Sequence, residues 1–96
     1  SARIDAVFPR PDGGFTVVDW KTGRPGTDSE QRHRRLQLAV YRLAYARWSG
    51  IDLDRVDAAF FYAGTGQTVR PLLPDLRELE TQLDTALAGL DGVGER

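Results

Sequence analysis

Ninety-six residues, 10.7 kDa, give room for one small domain, with 41% hydrophobic and 28% charged residues arguing against a disordered tail. The absence of cysteine removes a disulfide framework, a thiolate zinc site and an iron–sulfur cluster, and no run reaches the ~18 apolar residues of a membrane span. A net charge of −1 argues against an indiscriminate polyanion binder. The expected setting is cytoplasmic, with which the lack of cysteine is compatible, and no membrane partner is expected.

Arg3–Phe8 and Phe15–Lys21 are short runs of β-branched and aromatic residues. Between them, Pro9-Arg10-Pro11-Asp12-Gly13-Gly14 supplies turn chemistry, so the pair reads as a β-hairpin. Both strands are apolar on both faces, which predicts a sheet covered on each side. Thr22–Gly26 is a loop. Thr27-Asp28-Ser29-Glu30 fits a capping box, and a helix is predicted from there to about Ser49, with Gly50 as its stop. Val56–Tyr62 is a further strand, Gly64-Thr65-Gly66 a turn, and Thr68–Leu72 a brief edge strand limited by Pro71. A last helix at about 75–90 is capped by Asp75 and buries Leu76, Leu79, Leu83, Leu87 and Leu90. The fold class is therefore α/β, a mixed central sheet flanked by helices in the order β-β-α-β-(β)-α, as one domain over residues 1–96.

Charge is unevenly spread. Residues 21–47 carry +5, through Lys21, Arg24, Arg32, Arg34, Arg35, Arg42 and Arg47, whereas residues 75–96 carry −4. That basic stretch is where a polyanion would be met. Lys21 is the chain's one lysine among thirteen basic residues.

Asp19 and Lys21 stand two apart on a strand and so leave it on one face. A carboxylate there can hold Mg²⁺, and the ammonium can orient an attacking water and offset charge on a phosphate. If Pro11-Asp12-Gly13 forms a three-residue loop, Arg10 pairs with Gly14 and Asp5 falls opposite Asp19. Like charges that close invite a cation or a raised pKa. Gln37 and Tyr41 share one side of the first helix, with His33 a further turn back. Taken singly, each residue has a plainer reading. Asp-x-Lys is commonly a surface ion pair, the Arg cluster a solvated face, and Trp20 and Trp48 core residues.

The three segments Arg3-Ile4-Asp5-Ala6-Val7, Val17-Val18-Asp19-Trp20-Lys21-Thr22-Gly23 and Gln37-Leu38-Ala39-Val40-Tyr41 together resemble the PD-(D/E)xK nuclease superfamily, in its RecB-like branch. That branch includes the nuclease modules of bacterial UvrD-, AddAB- and AdnAB-type helicase–nucleases. The resemblance covers about residues 2–62. It implies a restriction-endonuclease-like core truncated at its N-terminal side, since the family's first core helix and strand, with one more ligand, precede Asp5. Ala2 stands where the family usually has Gly.

By the same resemblance, Asp5, Asp19 and the Trp20 carbonyl hold Mg²⁺ or Mn²⁺. Lys21 is the catalytic lysine, Gln37 positions the scissile region, and Tyr41 contacts DNA, with Arg24, Arg32, Arg34 and Arg35 as basic contacts. The implied function is metal-dependent DNA phosphodiester hydrolysis within an ATP-dependent helicase–nuclease of DNA repair, with DNA and the rest of the parent helicase chain as partners. The alternatives are a non-catalytic DNA-binding or docking module and an interaction domain working through the acidic last helix. An excised fragment is expected to be catalytically silent or very feeble, and to dimerise through the edge left by Arg3–Phe8 or through unfilled core surface.

Overall fold

The turn after the first strand closes as a tight loop. The Arg10 N–H donates to the Gly14 carbonyl at 2.8 Å and Gly13 N–H returns to the Arg10 carbonyl at 3.0 Å, with Gly13 at φ +87°. The computed structural model describes residues 4–94. Its hairpin joins β1 (Ala6–Pro9) to β2 (Phe15–Lys21), antiparallel, with Val7 opposite Val17 and Pro9 opposite Phe15. Pro9 falls in a pair that exchanges no backbone bond, so its missing N–H costs the ladder nothing.

Helix α1 (Asp28–Ser49) carries the chain back so that β3 (Val56–Tyr62) can lie parallel to β2, with Asp19 beside Phe60 and Lys21 beside Tyr62. A parallel pair needs such a crossover. The α1 start is the expected capping box. Glu30 N–H donates to the Thr27 hydroxyl at 3.2 Å, and Thr27 N–H to Glu30 at 3.3 Å. Gly50 ends the helix in the left-handed region at φ 73°. Arg42, from the middle of α1, donates to the Leu53 carbonyl at 2.8 Å and to the Val56 carbonyl. It pins the helix to the head of β3, so this member of the basic stretch is structural.

β4 (Gln67–Val69) is shorter than the expected Thr68–Leu72 and starts one residue earlier. Gly66, at φ 72°, donates to the Tyr62 carbonyl at 2.8 Å, and this tight return sets Gln67 against Tyr62. Arg70 then leaves the strand and donates to Asp57 at 3.4 Å, and Leu72 is 94% exposed. β1 also differs from Arg3–Phe8. It begins at Ala6, and Arg3 lies outside the described residues. α2 (Leu76–Gly94) starts where Glu78 N–H donates to the Asp75 carboxylate at 2.8 Å. Leu79 is buried and Leu76 is not; the side chains of Leu87 and Leu90 lie outside the described ones.

The core sits between α1 and one face of the sheet, where Val17, Val56, Ala58, Phe60 and Tyr62 pack against Leu38 and Ala46. The sheet is mixed and the fold α/β with two helices, as expected. The expected cover on each face is corrected: α1 packs on one face and the other is open. Phe8, Val18, Trp20, Ala59 and Phe61 line an open depression of about 510 Å³ on the other face, bounded by strand and loop residues. The expected core placement of both tryptophans is therefore corrected. Trp20 is 56% exposed, because strand alternation turns it to the open face once Asp19 and Lys21 turn to α1. Trp48 is exposed because it follows buried Ala46 by two residues, roughly 200° around the helix.

Candidate active site

The hairpin register places the first two acids. Antiparallel pairs alternate between those that exchange backbone hydrogen bonds and those that do not, and the Arg10–Gly14 bond starts the count. Val7 with Val17 falls in the second, closer kind. Carried one residue past the last pair, the same count sets Asp5 toward Asp19, and their carboxyl groups come within hydrogen-bond reach. Facing side chains there have Cβ atoms about 5 Å apart. Trp20 N–H donates to Asp5 Oδ2 at 2.8 Å. The Asp5 side chain thus takes a ladder donor of β2, which is why regular pairing of β1 starts only at Ala6. A strand residue sends its N–H and C=O to the same edge, so the Trp20 carbonyl leaves β2 on the Asp5 side. The Lys21 carbonyl faces β3, where it accepts from Ala63 N–H at 2.9 Å.

Asp19 is buried at 7% exposure on the face under α1, and Lys21 Nζ lies 3.1 Å from its Oδ2. The same ammonium is 5.9 Å from the centre of the Phe60 ring, a face that favours a cation. Burial lifts the Asp19 carboxyl above its ordinary value. The Lys21 ammonium pulls against that, and the Asp5 carboxylate adds to it. The net result is a carboxyl held toward its neutral form, short of positive charge even with one ammonium in contact.

Asp5, Asp19, Trp20, Lys21 and Tyr41 line one open cleft of about 380 Å³. Lys21 also lines a neighbouring cleft of about 440 Å³ with Ser29, Glu30, His33, Arg34 and Gln37. Arg34 Nη1 reaches the Arg24 carbonyl at 3.4 Å, and Arg24 lines a third depression with Thr22, Gly23 and Tyr62. The basic helix start therefore divides. His33 and Arg34 turn toward Lys21. Arg35 lines a further depression with Pro25, Gln31 and Val69, to which Arg34 also contributes, and Arg32 is exposed, roughly 200° around the helix from Arg34. Ser29 and Glu30 were legible only as parts of the capping box. The signal that finds Ser29 is the four-residue row Ser29, His33, Gln37, Tyr41, which extends one turn back beyond His33.

The donor set suits a hard divalent cation. Two opposed carboxylates and a main-chain carbonyl supply oxygen only, and the open cleft leaves room for the several waters Mg²⁺ retains. Among the described residues no third acidic or histidine side chain joins them.

A sequence profile of the PD-(D/E)XK nuclease superfamily matches residues 1–93, and the chain belongs to that superfamily. No protein of curated function and no solved structure matches it. The class is thus a nuclease domain on a restriction-endonuclease-like α/β core, a hydrolase with DNA as substrate, in a superfamily that generally uses divalent metals. No helix among the described residues is long and apolar enough to cross a membrane.

Proposed function

We propose that this chain is a RecB-like nuclease module, hydrolysing DNA phosphodiester bonds with Mg²⁺ or Mn²⁺ as part of a cytoplasmic ATP-dependent helicase–nuclease in DNA repair. The observation that carries the nuclease half is the nearness of the Asp5 and Asp19 carboxyl groups with the Lys21 ammonium 3.1 Å from Asp19. The helicase half rests on the likeness of the three motifs to the RecB-like branch.

Asp5, Asp19 and the Trp20 carbonyl would hold the metal. Bound there, it would polarise a phosphoryl oxygen and offset the charge building on it. Lys21 donates hydrogen bonds to an attacking water or to a phosphate oxygen, fixing the direction of approach. Gln37 offers an amide, uncharged and able to donate and accept, to the strand lying across the site. Tyr41, half-buried against the core, holds its ring still while its hydroxyl reaches the backbone. Arg34 lines the second cleft and Arg24 the third depression, and both add sequence-independent attraction to phosphates. Arg32 and Arg35 would meet DNA farther from the cut.

Digestion of linear DNA by the full-length protein is the test. Cleavage is expected with Mg²⁺ or Mn²⁺ and not with a chelator. Binding should weaken at least about tenfold between 50 and 200 mM salt, as displaced counterions return. Divalent-independent cleavage would overturn the metal assignment. Salt-dependent binding with no cleavage under any divalent ion would leave a DNA-docking module.

A further inference from the structure

Ser29, His33, Gln37 and Tyr41 form one row along α1, with successive members ~6 Å apart along the axis. Tyr41 lines the cleft of the opposed carboxylates. Gln37, His33 and Ser29 line the neighbouring one, with Arg34 and with Lys21, which belongs to both. The row therefore leads away from the carboxylates in steps close to the spacing of successive phosphates on one nucleic-acid strand.

The neighbouring cleft is built for an anion. Its acid, Glu30, accepts from the Thr27 N–H and hydroxyl at 3.3 and 3.0 Å, and that capping pair lowers its carboxyl below the ordinary value and fastens it to the helix start. Lys21, His33 and Arg34 are the basic side chains lining the space, and Gln37 adds an amide N–H donor. Arg34 carries the planar fork that suits a phosphate, and Ser29 adds a hydroxyl at the rim.

We propose that this second cleft seats the backbone phosphate next to the scissile one, with His33 and Arg34 as its donors. The inference rests on the nuclease reading for which phosphate is scissile. It assigns His33 a substrate contact and makes the first half of α1 a track that sets how far along the strand the cut falls. No base edge is involved, so the seat acts on any sequence.

The test uses full-length protein carrying Asp19→Asn, which binds without cutting. It is titrated with single-stranded oligonucleotides too short to slide along the row, in which one phosphate at a time is a neutral methylphosphonate, followed by fluorescence anisotropy at fixed salt. One position is expected to cost about fivefold in Kd when neutralised. Adding His33→Gln and Arg34→Gln together should weaken binding of the natural strand about tenfold and make that neutralisation cost nothing further. An unchanged melting temperature confirms that the added substitutions, at an exposed and a half-exposed position, leave the fold intact. Equal costs of neutralisation in both backgrounds, or no binding at all, overturn the seat. Digestion by wild type is scored separately. Cleavage without coupling removes the seat and leaves the nuclease. Coupling without cleavage keeps the seat and removes the nuclease.

Discussion

Asp19→Asn in the full-length protein is expected to reduce DNA cleavage by at least about 10²–10³-fold while leaving the melting temperature at or above that of wild type. The loss follows because the amide cannot serve as an anionic oxygen ligand opposite Asp5, and electrostatic groups of this kind commonly carry that much of a rate. The stability half follows from the direction of the Asp19 shift. Its carboxyl is raised in the folded chain, first by burial and then by Asp5, against the pull of Lys21. Ionising it therefore opposes folding, and the penalty grows as pH rises from the ordinary carboxylate value, about 4, through the raised folded value. Above that value the penalty is fully present, and the uncharged asparagine does not incur it. Lys21→Ala should lose cleavage to a similar degree, because the ammonium 3.1 Å from Asp19 is removed. On the proposed helicase–nuclease reading, ATP-driven unwinding, assayed beside digestion on one substrate, is expected to survive both changes. If both variants digest DNA as wild type does, the Asp19–Lys21 contact is an ion pair with no part in chemistry.

Leu38→Ala should cost about 2–5 kcal/mol, a large share of the roughly 5–10 kcal/mol that holds a small domain together. Leu38 is wholly buried, and it packs with Val17, Ala58 and Phe60 where α1 crosses the sheet. It also lies next to Gln37, so loosening it would blur the row that faces the clefts. Trp48→Ala removes a far larger side chain, yet Trp48 is 83% exposed, so the expected cost is within about 1 kcal/mol. Urea unfolding of the two variants, read by far-ultraviolet circular dichroism, compares them directly. A Trp48 variant as unstable as the Leu38 one would mean that the end of α1 is packed differently.

Much of the path to the site could be read from residue order because it depends on short-range chemistry. The Pro-Asp-Gly loop selects the hairpin register, and the register alone puts Asp5 across from Asp19. The bounds of β2, α1 and β3 follow from turn residues, a capping box and Gly50. What could not be read depends on which face meets which partner. Trp20 is apolar and aromatic, but its position between Asp19 and Lys21 commits it to the open face. Arg42 looks like its arginine neighbours until the head of β3 arrives to accept its hydrogen bonds. Asp57 reads as an interruption in a greasy strand. In the fold it accepts from the Thr16 hydroxyl at 2.5 Å and pairs with Arg10 at 3.0 Å and Arg70 at 3.4 Å. Burial would raise its carboxyl, but those partners outweigh burial and hold it below the usual carboxylate range. Such a hub joins residues 16, 10 and 70, and no local pattern announces it.

The placement of Trp20 gives the protein an optical gauge of its own chemistry. The indole stands on the open face with its ring edge toward Phe61, centres 6.5 Å apart, while its main-chain N–H is tied to the Asp5 carboxylate. Any ion or proton that redraws charge between Asp5 and Asp19 acts on the peptide unit carrying that indole. Trp48 lies near the far end of α1, more than a helical turn beyond Tyr41, and contributes a steady water-exposed emission. In a Trp48→Phe background, titration with Mg²⁺ should shift or quench the remaining emission. The same titration in Asp19→Asn should leave it flat.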